Sequence, residues 1–477
     1  MISFVLVIVI CSLFFMPYKI YKRHRVLCKS LPPGPPSLPV VGSVPFLQNT
    51  RGFADAIVQQ PLYHYHPKLC TVWIGFSPII VIQDFDLARD LFSREEFSAR
   101  PAHYHAKYIR GLDGESLGII ATKGKFWQEQ RRFTLKSLKD LGFGRNKLDT
   151  IIHEEVNILI EDLLLRSGAG DVLIDDIFNF PIVNILWRIV ASKRYDPDLP
   201  ESKRMMKDVG IVFHEGISMI NFFIHSPVLR SLIPLKKERA ELGLKQLFRQ
   251  QIIEHEIELQ QNESHEARDF IDMYLKEIER QHINTEYYFH GKYQNFNIEQ
   301  LVTICLDFFQ AGSETSSTTL SWAIMLLTLY PDVQEKCREE INLILGGRKN
   351  IEIFIATKYQ ISICRRLLII CYTFVLISVT DKLPSKDDSS QLIYCMATIQ
   401  EIQRLSCVAP ATLIHTTTID VEVEGYKLRK GQPFVANLTK FMHDSNVFED
   451  PTHFKPDRFI ENDGDRALKV NHDPYYN

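Results

Sequence analysis

The chain has 477 residues, with 55 basic and 58 acidic side chains, so its net charge is close to zero. This balance lacks the basic footprint of a nucleic-acid-binding protein, so no nucleic-acid partner is expected. The length allows about three domains or one large helical unit. The nine cysteines are scattered singly and form no CxxC pair. They favour a reducing compartment over a disulfide scaffold or a zinc site.

An uncharged apolar run, Ile2–Met16, is followed by the basic stretch Lys19–Arg25. A cleaved signal peptide would carry its basic residues first and a small-residue cleavage site behind, and this sequence has neither. The run reaches marginal length for a membrane span only when extended to about residue 20. We therefore predict a signal-anchor transmembrane helix over 1–20, with the rest of the chain in the cytoplasm. A cleaved signal and a soluble protein are the alternatives.

A proline-rich stretch comes next, with five prolines between Pro32 and Pro39. Proline cannot continue a helix and favours a stiff, extended path. Residues 21–45 are therefore predicted to be a basic, proline-rich hinge that spaces a globular body, 46–477, from the membrane.

The body is predicted to be mainly α-helical with small β-sheets. Thr71–Phe92 reads as a hairpin around "GFSP" followed by a capped helix, and Lys125–Phe248 is mostly amphipathic helix. The apolar run Leu301–Tyr330 predicts one long helix, and Tyr330–Leu345 predicts another that starts at its proline. Short strands reappear in Thr416–Asn437, and no internal repeat is seen.

The first motif with chemical content is "FWQEQRRF". Trp127 and Arg131 lie four residues apart, so they share one helix face. Together they can present an indole N–H and a guanidinium to a buried carboxylate or a phosphate. By itself the motif favours a surface ion pair.

The second motif, "AGSET", lies in the middle of the long apolar helix, where glycine costs about 1 kcal/mol relative to alanine. Ala311 and Gly312 can open a groove in which a small ligand approaches the backbone. Glu314 and Thr315 would flank that groove as an acid–alcohol pair. The alternative is a close helix–helix crossing through small residues, and the motif alone does not separate the two.

The third and fourth motifs are "EIQRL" and "FEDPTHFKPDRF". Glu401 and Arg404 lie three residues apart on one helix face, and their apolar flanks predict that the pair is buried. A buried pair needs additional partners to offset its desolvation. Arg458, in the rigid proline-rich meander of the fourth motif, is the candidate third member.

In this order, the anchor, the "PPGPP" hinge and the four motifs resemble the cytochrome P450 family of haem-thiolate monooxygenases. The resemblance covers nearly the whole chain and is of the microsomal animal type, arthropod enzymes included. It implies the P450 fold, haem b as cofactor, and electrons from NADPH through a reductase partner. It also implies an endoplasmic reticulum membrane location with the catalytic domain on the cytosolic side.

The resemblance assigns roles to residues of this chain. Trp127 and Arg131 would bind one haem propionate, and His415 in "TLIHTTT" would contact the other. Ala311, Gly312 and Thr315 would line the dioxygen groove. Thr315 and Glu314 would act catalytically by organising the water that delivers protons for O–O cleavage. A structural network would consist of Glu401, Arg404 and Arg458.

Two features depart from the family pattern. The family places its iron-ligating cysteine in a loop beyond the "PDRF" meander, but here no cysteine follows Cys407. Cys407 itself lies on the wrong element. We therefore expect the chain to be incomplete at its C-terminus, to have no metal ligand, and to be inactive as written.

The second departure is an anomalous insertion at about 350–380. Its sequence, Ile351–Val379, is too apolar for an exposed loop, and its longest apolar run is too short to span a membrane. A translated intron is the favoured interpretation. A membrane-dipping insertion and an additional core helix are the alternatives.

Two functional hypotheses follow. The first is a membrane-anchored monooxygenase that hydroxylates or epoxidises an apolar small molecule. The second is a haem-free, truncated membrane protein without catalysis, occupying only the reductase or lipid surface. Substrate identity is not encoded in a recognisable motif, although the aromatic stretch Glu215–Pro227 suits either an apolar pocket or a lipid-facing surface.

Overall fold

The structure is a computed structural model, and it describes most of the chain outside the N-terminal segment. The residues described are 22, 24–39, 41–47, 62–101, 107, 109–112, 114–142, 146–169, 176–214, 236–261, 266–284, 295–345, 386–461 and 469–470. The predicted anchor over 1–20, the predicted insertion and the stretch Glu215–Pro227 lie outside them. Among the described residues, no helix is both long and apolar enough to cross a membrane.

The main sheet has the strand order β1-β2-β6-β3. Strands β1 (Leu69–Ile74) and β2 (Ser77–Ile82) form the predicted hairpin, with Ile74 opposite Ser77 and Gly75 in the left-handed region at the turn. β2 pairs in parallel with β6 (Pro433–Ala436), which pairs antiparallel with β3 (His415–Thr416). The sheet therefore joins the start of the domain to a segment more than 300 residues later. The smaller sheets pair β4 (Val421–Val423) with β5 (Tyr426–Leu428) and β7 (Ile460–Glu461) with β8 (Lys469–Val470).

Helices make up most of the described structure. They are α1 Phe85–Ser93, α2 Gly124–Asp140, α3 Asn146–Ala169, α4 Asn179–Ala191, α5 Pro200–His214, α6 Lys236–Gln261, α7 Phe270–Asn284, α8 Ile298–Leu329, α9 Pro331–Leu345, α10 Ile393–Ser406 and α11 Leu438–Met442. The prediction of a mainly helical body with small sheets is confirmed. The predicted caps are also found: Asp84 accepts a hydrogen bond from Leu87 N at the start of α1, and α9 begins at Pro331.

Helix α8 is the central element of the described core. It has 32 residues, starts at the N-cap Asn297, and is buried along most of its first half. The rings of Trp187 (α4), Phe248 (α6) and Phe309 (α8) lie 4.8–5.0 Å apart, centre to centre. Aromatic contacts at this spacing add to the free energy gained from apolar burial. The cluster fixes three helices against one another around α8.

A buried histidine–carboxylate pair joins the end of α6 to the start of α7. The Nε2 atom of His255 lies 3.0 Å from Asp269 Oδ2, and both side chains are almost inaccessible to solvent. His255 Nδ1 lies 2.8 Å from the Gln251 carbonyl, so the ring donates on both sides when it is protonated. Burial lowers the pKa of His255, but the hydrogen bond and charge of Asp269 outweigh it, so the pKa is raised overall.

This group includes potential metal ligands, because His255, Asp269 and Asp272 could converge on an ion. Their oxygen atoms are already engaged, however. Asp269 also accepts from Asp272 N at 3.0 Å, and Asp272 accepts from the Arg268 side chain at 2.8 Å. The geometry is therefore that of a satisfied structural network.

The raised pKa of His255 predicts a pH-dependent stability. The stabilisation is fully present below the unfolded-state pKa of about 6.5 and is lost as pH rises through the higher folded-state pKa. His255→Gln should lower the free energy of unfolding by about 2 kcal/mol near pH 6, and by less near pH 9. Urea unfolding at the two pH values measures the difference.

The matched control is His453→Gln, because His453 forms an exposed pair with Asp450. An exposed pair contributes little, so this variant should unfold like wild type at both pH values. An equal loss of stability for His255→Gln at pH 6 and pH 9 would contradict the charged pair.

Candidate functional site

The "AGSET" motif lies in the middle of α8, where the helix has one open strip. Ala311 is exposed although the residues before it are almost all buried, and Thr315, one turn later, is partly exposed. Glu314 and Ser313, in the same turn, are buried. We call this open strip, formed by Ala311 and Thr315, the cradle.

Gly312 is needed for the packing of α8 against α4. A Cβ atom placed on Gly312 would lie 2.6 Å from Leu186 Cδ1, closer than such atoms approach in proteins. The glycine is therefore explained by a close helix–helix crossing, which was the alternative interpretation of the motif. The role of Gly312 in an oxygen groove stays a prediction.

Thr315 uses its hydroxyl within the helix. Its Oγ1 donates to the Ala311 carbonyl at 2.7 Å. Ser313 and Thr319 make the same bond to the carbonyls of Phe309 and Thr315. Hydroxyls that bond back in this way can bend a helix locally. Since a hydroxyl oxygen still accepts while it donates, Thr315 Oγ1 can take a hydrogen bond from a molecule in the cradle.

Trp127 and Arg131 lie together on one face of α2, as their spacing predicts. The Arg131 guanidinium lies 5.5 Å from the centre of the Trp127 ring, a cation–π distance. The Trp127 Nε1–H donates to the Ile119 carbonyl at 3.0 Å. The indole is thus held by the segment before α2, while the Arg131 side chain is exposed.

Three basic groups converge from distant parts of the sequence. Arg100 is half-buried, and burial together with the charge of Arg131 lowers its pKa. Burial and the charge of Arg100 lower the pKa of His415 to about 4. Within the described part of the chain, no carboxylate lies within ion-pair distance of these three side chains.

Two guanidinium groups and a neutral imidazole, with no ion-pair partner among the described carboxylates, suit an anionic ligand. Arg100 also donates to the Ile414 carbonyl at 3.3 Å, and His415 Nδ1 donates to the Phe97 carbonyl at 2.9 Å. Both contacts hold the side chains in place without neutralising them. The donor set fits the two carboxylates of a haem, and the open strip at Ala311 fits the approach of a flat group to α8.

Arg100 was missed by the sequence reasoning. It lies outside any helical or strand periodicity, and only the fold brings it to Arg131 and His415. No local signal marks it, because the surrounding sequence is rich in polar and charged residues.

The Glu401 carboxylate is the centre of a buried network. It accepts two hydrogen bonds from Arg404, at 2.7 and 2.9 Å, and one from Arg458 Nε at 3.2 Å. The backbone N–H of Lys455 adds a fourth at 2.9 Å. Glu401 and Arg404 are fully buried, as their apolar flanks predict.

The same network joins α10 to the meander that follows α11. Arg404 donates to the Met442 carbonyl at 2.7 Å, and its guanidinium lies over the Phe448 ring. Arg458 donates to the Glu449 carbonyl at 2.7 Å. The two arginines thereby satisfy backbone carbonyls of a segment without regular structure. Nothing in this arrangement exposes Glu401 to a ligand.

Cys407 lies at the end of α10, close to this network. It ends α10 in the left-handed conformation and lies 3.7 Å from the Thr439 hydroxyl, which donates to it. Burial raises its pKa, so the thiol stays protonated. A protonated, hydrogen-bonded thiol is a poor metal ligand.

Comparison with known proteins gives a consistent picture. The profile of the cytochrome P450 family matches residues 32–357 and 376–476. Human cytochrome P450 2C8 is 28% identical over 471 residues, covering 96% of this chain and 84% of the human protein. The Bombyx mori farnesoate epoxidase is also 28% identical, covering 96% of this chain and 83% of the silkworm protein. Cytochrome P450 2C20 of Macaca fascicularis is 27% identical with the same coverage as the human protein.

The buried network gives a stability prediction. Glu401→Gln leaves two arginines around a neutral amide, so it should lower the free energy of unfolding by about 3–5 kcal/mol. Asp457→Asn is the control, because Asp457 is exposed and lies 3.8 Å from Lys336. Its loss should change stability by less than about 1 kcal/mol. Equal midpoints for both variants in chemical denaturation would show that the network contributes nothing.

Proposed function

Because the chain belongs to the cytochrome P450 family, we propose that it inserts one oxygen atom from dioxygen into an apolar small molecule, by hydroxylation or epoxidation. As a member it is an oxidoreductase of the monooxygenase type, with haem b as cofactor and electrons from a reductase partner. The haem-free alternative is not favoured by this relationship. The substrate is hydrophobic, in keeping with the family.

The observation that carries the proposal is the basic cluster of Arg100, Arg131 and His415. Two guanidinium groups beside a neutral imidazole, with no ion-paired carboxylate among the described residues, are electrostatically unfavourable until an anion joins them. Two propionates would supply the missing charge. Arg100 and Arg131 would each donate to a carboxylate oxygen, and the pKa of His415 would rise once an anion replaces the net positive field.

The residues of α8 have different tasks in this proposal. The cofactor, when bound, activates dioxygen. Ala311 leaves room beside the helix for a diatomic molecule, and Thr315 holds water at its hydroxyl. Glu314 lies next to Thr315 in sequence and supports proton supply to that water. The apolar body of α8 excludes other water from the cradle.

The position of the chain in the cell belongs to the same proposal. We infer an endoplasmic reticulum membrane location, with residues 1–20 as anchor and the domain facing the cytosol. The inference is supported by the charge pattern Lys19–Arg25 and by the family. Lipid and an NADPH-dependent reductase would be the partners. Protease protection of epitope tags at both ends, in microsomes, tests this orientation.

The insertion at about 350–380 is likewise a proposal. The family profile matches the residues on both sides but leaves 358–375 unmatched, a gap inside the predicted insertion. This supports the interpretation that at least 358–375, the middle of the predicted insertion, does not belong to the family domain. Sequencing of the mature transcript decides it, since splicing out this segment is expected and its retention at normal abundance would refute the intron.

The family pattern requires a cysteine thiolate as the proximal ligand of the haem iron. The described cysteines lie elsewhere: Cys305 is buried inside α8, and Cys407 is bonded to Thr439. We infer that the described cysteines do not supply a thiolate to haem iron. The loop that carries this cysteine in the family follows the "PDRF" segment, where the present sequence contains none.

A reduced carbon-monoxide difference spectrum of the haem-loaded polypeptide tests this inference. We expect no thiolate-type Soret band, because none of the described cysteines is placed to ligate the iron. A chimaera that continues after Phe459 with the corresponding residues of the human relative should show the band. A thiolate-type band from the 477-residue polypeptide itself would contradict the inference.

The basic cluster predicts the effect of its arginines on haem uptake. Replacing Arg100 or Arg131 with alanine removes a charge-assisted hydrogen bond, so each variant should bind haem about tenfold more weakly. Titration of apoprotein with haem, followed by Soret absorbance, measures this. Arg89→Ala is the control, because Arg89 is exposed and pairs only with the exposed Asp86 among described carboxylates. Unchanged affinity in both cluster variants would overturn the propionate assignment.

A further inference from the structure

One buried carboxylate holds the segment 109–120 against α8. Asp307 is 1% exposed. Its Oδ2 accepts the backbone N–H groups of Ile119, at 2.6 Å, and Ile120, at 3.0 Å. Its Oδ1 accepts from the guanidinium of Arg110, which is also buried. No short sequence motif reveals this site, because Arg110 and Asp307 lie nearly 200 residues apart in the sequence.

Further contacts hold the same segment one and two turns earlier on α8. Gln300 accepts from Gly118 N at 2.8 Å and donates to the Gly118 carbonyl at 3.2 Å. Thr303 donates to the Arg110 carbonyl at 3.2 Å. A Cβ atom on Gly118 would lie 2.3 Å from Asp307 Oδ2, and its φ of +84° also favours glycine. The backbone at Gly118 therefore lies so close to α8 that a residue with a side chain would not fit there.

A single peptide group connects Asp307 to Trp127. The Ile119 carbonyl and the Ile120 N–H belong to the same peptide plane. The carbonyl accepts from the Trp127 indole at 3.0 Å, and the N–H donates to Asp307. A peptide plane is rigid. The hydrogen bond to Asp307 on α8 therefore fixes the orientation of this peptide group, and its carbonyl in turn fixes the Trp127 indole.

Asp307, Ala311 and Thr315 are four residues apart, so they follow one another along the same side of α8. The segment that covers Asp307 therefore borders the open strip at Ala311. We propose that Asp307 is a positioning residue of the site: it fixes the peptide that holds Trp127 and closes the cradle on its Asp307 side. This inference rests on the proposed function, since Trp127 matters there as a haem contact.

The donor pattern around Asp307 makes asparagine an informative substitution. Both carboxylate oxygens are used, one by Arg110 and one by the two amides. An asparagine side chain has one acceptor oxygen and one donor group. The charged Arg110 is the stronger donor and should claim the oxygen. The amides of Ile119 and Ile120 would then face an NH₂ group.

Hydrogen–deuterium exchange on the full apoprotein tests the anchor directly. In Asp307→Asn, the amides of Ile119 and Ile120 should exchange about tenfold faster or more, as expected for the loss of a buried hydrogen bond. Trp127 emission, isolated by subtracting the spectrum of the matching Trp127→Phe variant, should shift with them. Asp269→Asn is the control, because Asp269 is equally buried but contacts His255.

A double variant separates positioning from general destabilisation. In Arg110→Met/Asp307→Asn the competing cation is gone, so the asparagine oxygen can return to the two amides. Their protection and the Trp127 emission should recover towards wild type. The proposal is overturned if Asp307→Asn leaves exchange unchanged, if Asp269→Asn accelerates the same amides equally, or if the double variant recovers nothing.

Haem titration links the anchor to the site. Asp307→Asn should raise the haem dissociation constant about tenfold, and the double variant should restore part of it. Unchanged haem affinity alongside faster amide exchange would overturn the link between Asp307 and the cofactor. Failure of the wild-type chain to take up haem would instead refute the proposed function, while the exchange data would still decide whether Asp307 positions Trp127.

Discussion

Helix α8 is buried along most of its first half, and a polar group there must find a partner inside the protein. Its hydroxyls do so within the helix, as Thr315 does with the Ala311 carbonyl. Its carboxylate at Asp307 cannot, and instead takes donors from the segment 109–120. The need to satisfy one buried charge therefore determines where a loop far away in sequence must lie. The strip at Ala311 is a part of α8 that this loop does not cover.

The charged clusters are of two kinds. Some are neutralised by partners inside the protein, and one has no carboxylate partner among the described residues. Glu401 is matched by Arg404, Arg458 and a backbone N–H, and such a closed network is structural. Burial raises the pKa of Asp307, and the charge of Arg110 with the two amide donors opposes this effect. Arg100, by contrast, has Arg131 as a charged neighbour, and burial together with that charge lowers the pKa of Arg100. An unmatched cluster in a folded domain indicates a missing ligand more strongly than a matched one does.

Local patterns were sufficient for much of the fold. Periodicity and proline placed α8 and α9 within a few residues, and the "GFSP" turn located the β1–β2 hairpin. Spacing also brought Trp127 to Arg131 and Glu401 to Arg404, because both pairs lie within one helix turn. The sequence could not show Leu186 against Gly312 or Arg100 beside His415. Those contacts depend on which helices and strands pack together, and no local pattern encodes that choice.

The two interpretations of "AGSET" concern different residues of the same helix turn, and the ligand groove stays a prediction. Gly312 faces α4, where a Cβ atom would crowd the end of the Leu186 side chain. Ala311 lies on the open strip, where small size leaves space for a ligand. A close crossing on one side fixes the distance between α4 and α8, and this rigidity keeps the strip on the other side from closing by helix movement. The glycine that costs helix stability thus contributes to the site indirectly, by holding in place the alanine and threonine beside it.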